Sequence, residues 1–299
     1  MVAITTWSFC ALRGLNYKKL IRKGEKIMNR KVLGWNINQR SGLGKEIPEL
    51  VLQELLDQDA DVIVLTEVVK NGSLSVFLQK MREVGYESAI SKNENTNEVC
   101  ILWKVEYYQL LNVDDSLITA KENDNPNYLM VELKDQNDKK FNVVGYRIRV
   151  GSKGSTDEYE GRARQMKIVT EKLALLNGPT MVVTDSNNLR RGATRKEWNL
   201  SVLDSMLAEA GFIRNTPEGS SIYAETAVSP EYEFAEDHII TKGIEISDFE
   251  YDRDFVKRNT EVYIWGKDFT KHIEGTKFYK QIRVGFPDHA LVKGYFGIA

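Results

Sequence analysis

From residue 31 onward, short apolar runs alternate with amphipathic stretches. Residues 31–38 predict a strand, and residues 45–58 place Ile47, Leu50, Val51 and Leu55 on one face of a helix. Residues 62–65 are apolar without interruption, which predicts a strand covered on both faces. A second helix follows at 73–84, then strands at 98–103, 105–112, 128–134 and 140–150, with a turn-rich stretch at 121–127. The long helical pattern at 156–176 stops at Asn177-Gly178-Pro179. After a buried strand at 180–184 and a helix at 200–210 ending at Gly211, short strands are expected at 220–224, 237–241, 244–251 and 289–296. Strands and helices mixed in this order predict a layered α/β domain, and the long helix between two strand runs makes part of the sheet parallel. No repeat and no Pro/Gly-rich linker divides the chain, so one domain is expected over 28–299.

Residues 1–27 differ. A short apolar start is followed, not preceded, by Arg13, Lys18, Lys19, Arg22 and Lys23, the wrong polarity for a secretory signal. This stretch is expected to be a basic, poorly ordered extension. Alternatively it is translated upstream sequence: Gly24-Glu25 can be encoded by a purine-rich ribosome-binding stretch ahead of a true start at Met28.

The chain has 299 residues, a net charge of −2 and 42% hydrophobic residues, which excludes wholesale disorder. No apolar run reaches the ~18 residues of a membrane helix. Near-neutral charge argues against a protein that coats nucleic acid, but a catalytic groove needs only a local basic patch. Cys10 and Cys100 form neither a metal spacing nor a disulfide framework, so a reducing, cytoplasmic setting is expected. Three histidines, His238, His272 and His289, bound any imidazole chemistry.

The core strands share a feature: each apolar run meets acids or amides at one end. Asn36 and Asn38 lie two apart, on one face of a strand. Residues 62–65 run into Thr66-Glu67, and 181–183 into Thr184-Asp185-Ser186-Asn187. Asp237-His238 and Asp288-His289 each precede an apolar run. Strands lying side by side would gather these ends into one cluster of carboxylates, amides and imidazole. Hard oxygen ligands without cysteine suit Mg²⁺ or Mn²⁺, and such an ion beside a His–Asp pair suits metal-assisted phosphoester hydrolysis.

With these residues the chain resembles the endonuclease/exonuclease/phosphatase superfamily over most of its length after Met28. Trp35-Asn36-Ile37-Asn38 resembles the first motif, Thr66-Glu67-Val68 the metal-binding glutamate, and Asp185-Ser186-Asn187 the Asp-x-Asn motif. Asp237 matches the aspartate that orients the catalytic histidine, and Asp288-His289 the closing pair. The chain departs from the pattern at Thr184, Ser186 and Pro287, and Arg147 stands where His or Tyr is usual, with Tyr146 one residue away. The resemblance implies a four-layer α/β/β/α sandwich, two mixed β-sheets packed face to face with outer helices. It implies that Asn38, Glu67 and Asp288 hold Mg²⁺ or Mn²⁺. Asp185 would position or deprotonate the attacking water, and His289, oriented by Asp237, would act as acid/base or stabilise the phosphorane-like charge. Asn36, Asn187 and Arg147 would donate to the phosphate, with Tyr146 beside it.

The loop after Asn187 is basic and carries Arg190, Arg191 and Arg195, which suits a polyanionic substrate. His238 should point away from the site, and His272 lies in a polar loop. The expectation is a metal-dependent phosphodiesterase acting on nucleic acid as a monomer without membrane insertion. A small phosphoester or phospholipid headgroup as substrate, or a non-catalytic binding protein with the same fold, stays open.

Overall fold

The computed structural model describes residues 30–38, 47, 49–92, 98–116, 125–150, 156–191, 198–222, 233–254, 263–264, 270–272, 279–281 and 285–298; of these, 156–158, 189–191, 233, 263–264, 270–272, 279–281 and 285–286 are described in backbone only. The extension at 1–27 and the start at Met28 lie outside the described residues.

In chain order the elements are β1 (Arg30–Asn36), α1 (Glu49–Gln58), β2 (Val62–Val68), α2 (Gly72–Glu83), β3 (Tyr86–Ile90), β4 (Glu98–Lys104), β5 (Tyr108–Asp114), β6 (Asn127–Asp135) and β7 (Lys140–Arg147). Then come α3 (Thr156–Ala174), β8 (Thr180–Asp185), β9 (Leu189–Arg191), α4 (Leu200–Glu209), β10 (Ile213–Asn215), β11 (Glu233–Phe234), β12 (Asp237–Lys242) and β13 (Ile244–Asp252). The short β14 (Tyr263–Ile264), β15 (Thr270–His272), β16 (Tyr279–Gln281) and β17 (Gly285–Phe286) precede β18 (Leu291–Ile298). Among the described residues no helix is long and apolar enough to cross a membrane.

Two six-stranded mixed sheets carry the fold, ordered β13-β18-β1-β2-β4-β3 and β10-β12-β8-β7-β6-β5. Each has one parallel pair at its centre, β1 with β2 and β7 with β8. These strands are apolar on both faces because both are covered. Between the sheets pack Val32, Val62, Val64, Val99, Ile101, Leu129, Val131, Val143, Met181, Val183, Ile239 and Val292. Outside the first sheet, Leu33, Trp35, Ile63 and Leu65 meet Val51 and Leu55 of α1 and Leu74, Phe77 and Met81 of α2. Outside the second, Val144, Tyr146, Val182 and Ile240 meet Met166, Val169 and Leu173 of α3 and Leu203 and Leu207 of α4. The expected four-layer α/β/β/α sandwich is therefore the observed one.

Caps place the helices as their sequences suggest. The Asn71 carboxamide oxygen accepts from the Leu74 N–H at the start of α2, and Asn199 accepts from Ser201 and Val202 at the start of α4. The sheets approach closely at Gly34 and Gly145. A Cβ on Gly34 would collide with Val183 and Val292, and one on Gly145 with Val99 and Val64.

Several expected boundaries shift. The strand expected at 105–112 starts at Tyr108, because Tyr107 N–H bonds back to the Lys104 carbonyl in a turn. The strand expected at 220–224 is a single bridge, Ile222 opposite His289, among the described residues. The strand expected to run on to residue 150 ends at Arg147, where Ile148 N–H turns to the Asp185 carbonyl.

Candidate active site

Strand alternation sends every second residue into the space between the sheets. The inner series Val32, Gly34 continues to Asn36 on β1, and Val62, Val64 to Thr66 on β2. On β7 it runs Val143, Gly145, Arg147, and on β8 Met181, Val183, Asp185. Antiparallel β6 and β12 reach the same end from the other direction, at Asn127 and Asp237. Register aligns the polar ends: Asn36 opposite Thr66, Arg147 opposite Asp185, Asp237 opposite Asp185, and Asn127 opposite Arg147. One rule therefore turns an apolar interlayer into a polar site at one edge.

Two backbone irregularities refine it. The β2–β4 register shifts between Leu65 and Val68, and Glu67 sits there at φ 55°. Leu65 and Val68 both pack on the helix side, so the extra residue lets Glu67 turn inward. Asn38 and Asn187 also hold left-handed backbone, each at φ 48°, a conformation Asn tolerates.

The side chains form a connected set. Asn36 Nδ2 donates to Asp185 Oδ2 at 2.9 Å and lies 3.3 Å from His289 Nε2. His289 Nδ1 is 2.7 Å from Asp237 Oδ2. The Asn36 carboxamide oxygen accepts from Asn38 N–H, and Asn38 Nδ2 donates to Asp288 Oδ1 at 2.8 Å. Arg147 spans the two sheets, 2.5 Å from Glu67 Oε1 and 3.2 Å from Asp185 Oδ2. Burial alone would depress the His289 pKa, but the adjoining Asp237 carboxylate outweighs it and holds the imidazolium well above the ordinary histidine range. Burial, with the Asp185 charge, pushes Glu236 up to about 8.

Solved structures place this architecture. Over 91% of this chain and 72% of the other, it is similar to an endonuclease/exonuclease/phosphatase from Beutenbergia cavernae, at TM-score 0.62 and 13% identity. It is similar to D. rerio TDP2 complexed with single strand DNA product, over 90% of this chain and 99% of that one, at TM-score 0.56 and 11% identity. It is also similar to the Bacteroides thetaiotaomicron mannosyl-6-phosphatase, over 89% and 99%, at TM-score 0.54 and 11% identity. The fold is that of the endonuclease/exonuclease/phosphatase proteins. No protein-family model and no curated protein matches the chain.

The hydrogen bonds and ion pairs above bring together Asn36, Asn38, Glu67, Arg147, Asp185, Asp237, Asp288 and His289, and Asn187 joins through Asp185. Its N–H donates to Asp185 Oδ1, while its Nδ2 donates to the Ile148 carbonyl. The Asn187 backbone thus holds one oxygen of Asp185, while its side chain holds the Ile148 carbonyl. Tyr146, expected beside the phosphate, lies elsewhere. Alternation puts it on the opposite face from Arg147, fully buried against α3 and α4, with its hydroxyl 3.2 Å from Ser186 Oγ. Burial pushes that phenol up to about 12, and it does not face the site. Arg190 and Arg191 lie on β9, whose side chains are not described, and Arg195 is outside the described residues. His238 is buried between Asn188 and Thr216, as its parity predicts. His272 ends β15 and is described in backbone only.

Sequence reasoning missed three residues. Glu236 lies 3.8 Å from His289 Nε2, and its place before Asp237 was the available signal. Arg162 of α3 holds the Asn187 carbonyl at 2.5 Å. Asn127 was assigned to a turn.

The donor set fits a hard divalent cation. Glu67, Asn38 and Asp288 offer oxygen only. With Glu236 held largely protonated, the carboxylates of Glu67, Asp185, Asp237 and Asp288 still outnumber the cations Arg147, Arg162 and His289, a charge deficit that a cation would offset. Among the described residues no three His, Cys, Asp or Glu side chains are drawn together tightly enough to hold an ion, and Glu67 is paired with Arg147 instead.

Proposed function

We propose that this chain is a phosphodiesterase that hydrolyses nucleic acid with Mg²⁺ or Mn²⁺. The observation that carries the reading is Asn36 Nδ2, within reach of both Asp185 and His289 Nε2 while Asp237 holds the other imidazole nitrogen. A carboxylate that can accept a proton and an imidazolium that can donate one thus flank the same amide nitrogen, a layout that suits the two sides of a phosphoryl centre.

In this reading Asp185 accepts the proton of a water whose oxygen bonds phosphorus as the bond to the leaving oxygen breaks. The His289 imidazolium, oriented by Asp237, donates to a phosphoryl oxygen as charge builds there. Asn36 and Arg147 donate to the remaining oxygens, and Arg147 does so with a planar fork that suits phosphate. Asn38, Glu67 and Asp288 would hold the cation. Bound there, it would lower the charge on the phosphate and on the leaving oxygen.

Nucleic acid is favoured by the basic Arg190, Arg191 and Arg195 and by the likeness to TDP2, whose solved complex holds single strand DNA product. The mannosyl-6-phosphatase likeness supports a small phosphoester instead. Hydrolysis of single-stranded DNA, abasic duplex, RNA, bis-p-nitrophenyl phosphate and mannose 6-phosphate with Mg²⁺, Mn²⁺ or EDTA decides between them. Metal-dependent cleavage of a polynucleotide is expected; turnover of mannose 6-phosphate alone selects the small substrate, and none at all rejects the reading.

A further inference from the structure

We propose that Asn127 is a specificity-determining residue that reads a neutral hydroxyl- or amide-bearing group beside the phosphate. The inference rests on the phosphoesterase reading for where the phosphate sits. Asn127 is only 2% exposed, yet among the described residues neither its carboxamide nitrogen nor its oxygen has a hydrogen-bond partner. Buried polar groups are normally paired, so an amide orphaned at both atoms calls for a partner outside the chain.

Its position says where that partner lies. Leu129 and Val131 of β6 pack between the sheets, so Asn127 continues their inner series. It is the register partner of Arg147, and directly opposed residues place their Cβ atoms ~4.5–5.5 Å apart. Pairing of β6 with β5 ends at Met130, so Asn127 extends beyond it toward the site edge. The order along the second sheet, β12-β8-β7-β6, then sets Asp237, Asp185, Arg147 and Asn127 in a row. If phosphate lies against Asp185 and Arg147, Asn127 meets the next group of the substrate.

The residue type defines the chemistry. A carboxamide offers donor and acceptor together. A bare anion would leave the Asn127 oxygen unpaired, and a cation would leave its nitrogen unpaired. A sugar hydroxyl or the amide edge of a nucleobase satisfies both.

The test measures dissociation constants of inorganic phosphate, ribose 5-phosphate and adenosine 5′-monophosphate in Mg²⁺ for the wild type, Asn127→Leu and Asn127→Asp. Preference for adenosine 5′-monophosphate over phosphate is expected to fall about tenfold or more in both variants. If ribose 5-phosphate already shows the loss, the group is a sugar hydroxyl; if only the nucleotide does, it is the base. The melting temperature of unliganded Asn127→Leu should equal or exceed the wild type, because no native bond is removed. An unchanged preference, or a fall in melting temperature beyond about 4 °C, overturns the proposal. Should Asn127→Leu not fold, the isosteric Asn127→Asp preference decides. Turnover of bis-p-nitrophenyl phosphate by the wild type, run alongside, separates the two failures. Its absence rejects the phosphoesterase reading, while the binding preference still reads the subsite.

Discussion

The two flanks of the site are built differently. On the β8–β12 flank, Asp237, His289, Asn36 and Asp185 are linked by successive contacts of 2.7, 3.3 and 2.9 Å. On the β6–β7 flank, Arg147 is held by Glu67 and Asp185, and beside it Asn127 has no partner at either amide atom among the described residues. Linked groups have their orientation set before substrate arrives, which is what charge stabilisation in a transition state requires. An orphaned amide has a desolvation cost that only a partner relieves. On the proposed reading, the contrast teaches that chemistry would be preorganised on one flank and recognition left open on the other.

The sharpest way to break this contrast is to remove the linked flank. Asp185→Asn keeps the shape but removes the proton acceptor, and turnover is expected to fall ~10²–10⁴-fold with an unchanged circular dichroism spectrum. Retained turnover would remove Asp185 from the chemistry.

Arg147 joins the flanks, and Arg147→Gln should cost less. Losing a charged donor to phosphate is worth ~1.5–3 kcal/mol, read as a drop in kcat/KM for a phosphodiester. The same change frees Glu67, so Mn²⁺ binding followed by electron spin resonance should tighten. Weaker Mn²⁺ binding would mean the guanidinium does not compete for that carboxylate.

Beneath both flanks, Gly34 and Gly145 let the sheets close two residues before Asn36 and Arg147. Gly145→Ala drives a methyl into Val99 and Val64, and overpacking of this kind costs ~1–3 kcal/mol. Chemical denaturation should show the loss, and a variant as stable as the wild type would show that the interlayer has slack.

The smallest effect is in pH. The folded pKa of Glu236 stands near 8, above its ordinary value, and that of His289 is raised too. The native state thus binds more protons than the unfolded chain, and stability falls as pH rises. Glu236 contributes this loss between about pH 4.5 and 8. His289 contributes fully below its unfolded pKa, near 6.5, and loses that stability as pH rises through its raised folded value. Glu236→Gln should flatten the decline in melting temperature between pH 5 and 8; an equally steep decline would assign the slope elsewhere.

Much of this was legible because burial on both faces leaves an unmistakable apolar run. The central strands followed from 62–65 and 180–184 and the site from polar residues at their ends, while the four-layer order came from the family resemblance. Of the edge strands, β5 and β13 were legible at 105–112 and 244–251, but β3 and β10 were not. β3 reads Tyr-Glu-Ser-Ala-Ile with only Tyr86 buried, so no continuous apolar run marks it. Tyr146 was misplaced by one residue, which in a strand means the wrong face. Asn127 was hidden because Asn beside Pro reads as a turn, and only pairing with Arg147 reveals its inner position.

The central claim is that His289 and Asp237 act as one unit on a phosphoryl centre. A double-mutant cycle of His289→Ala and Asp237→Ala on metal-dependent hydrolysis of bis-p-nitrophenyl phosphate tests it most directly, with circular dichroism confirming the fold. Each single change is expected to depress kcat, and the double variant should lose far less than the product of the two losses. Fully multiplicative losses, or wild-type turnover in His289→Ala, would contradict it.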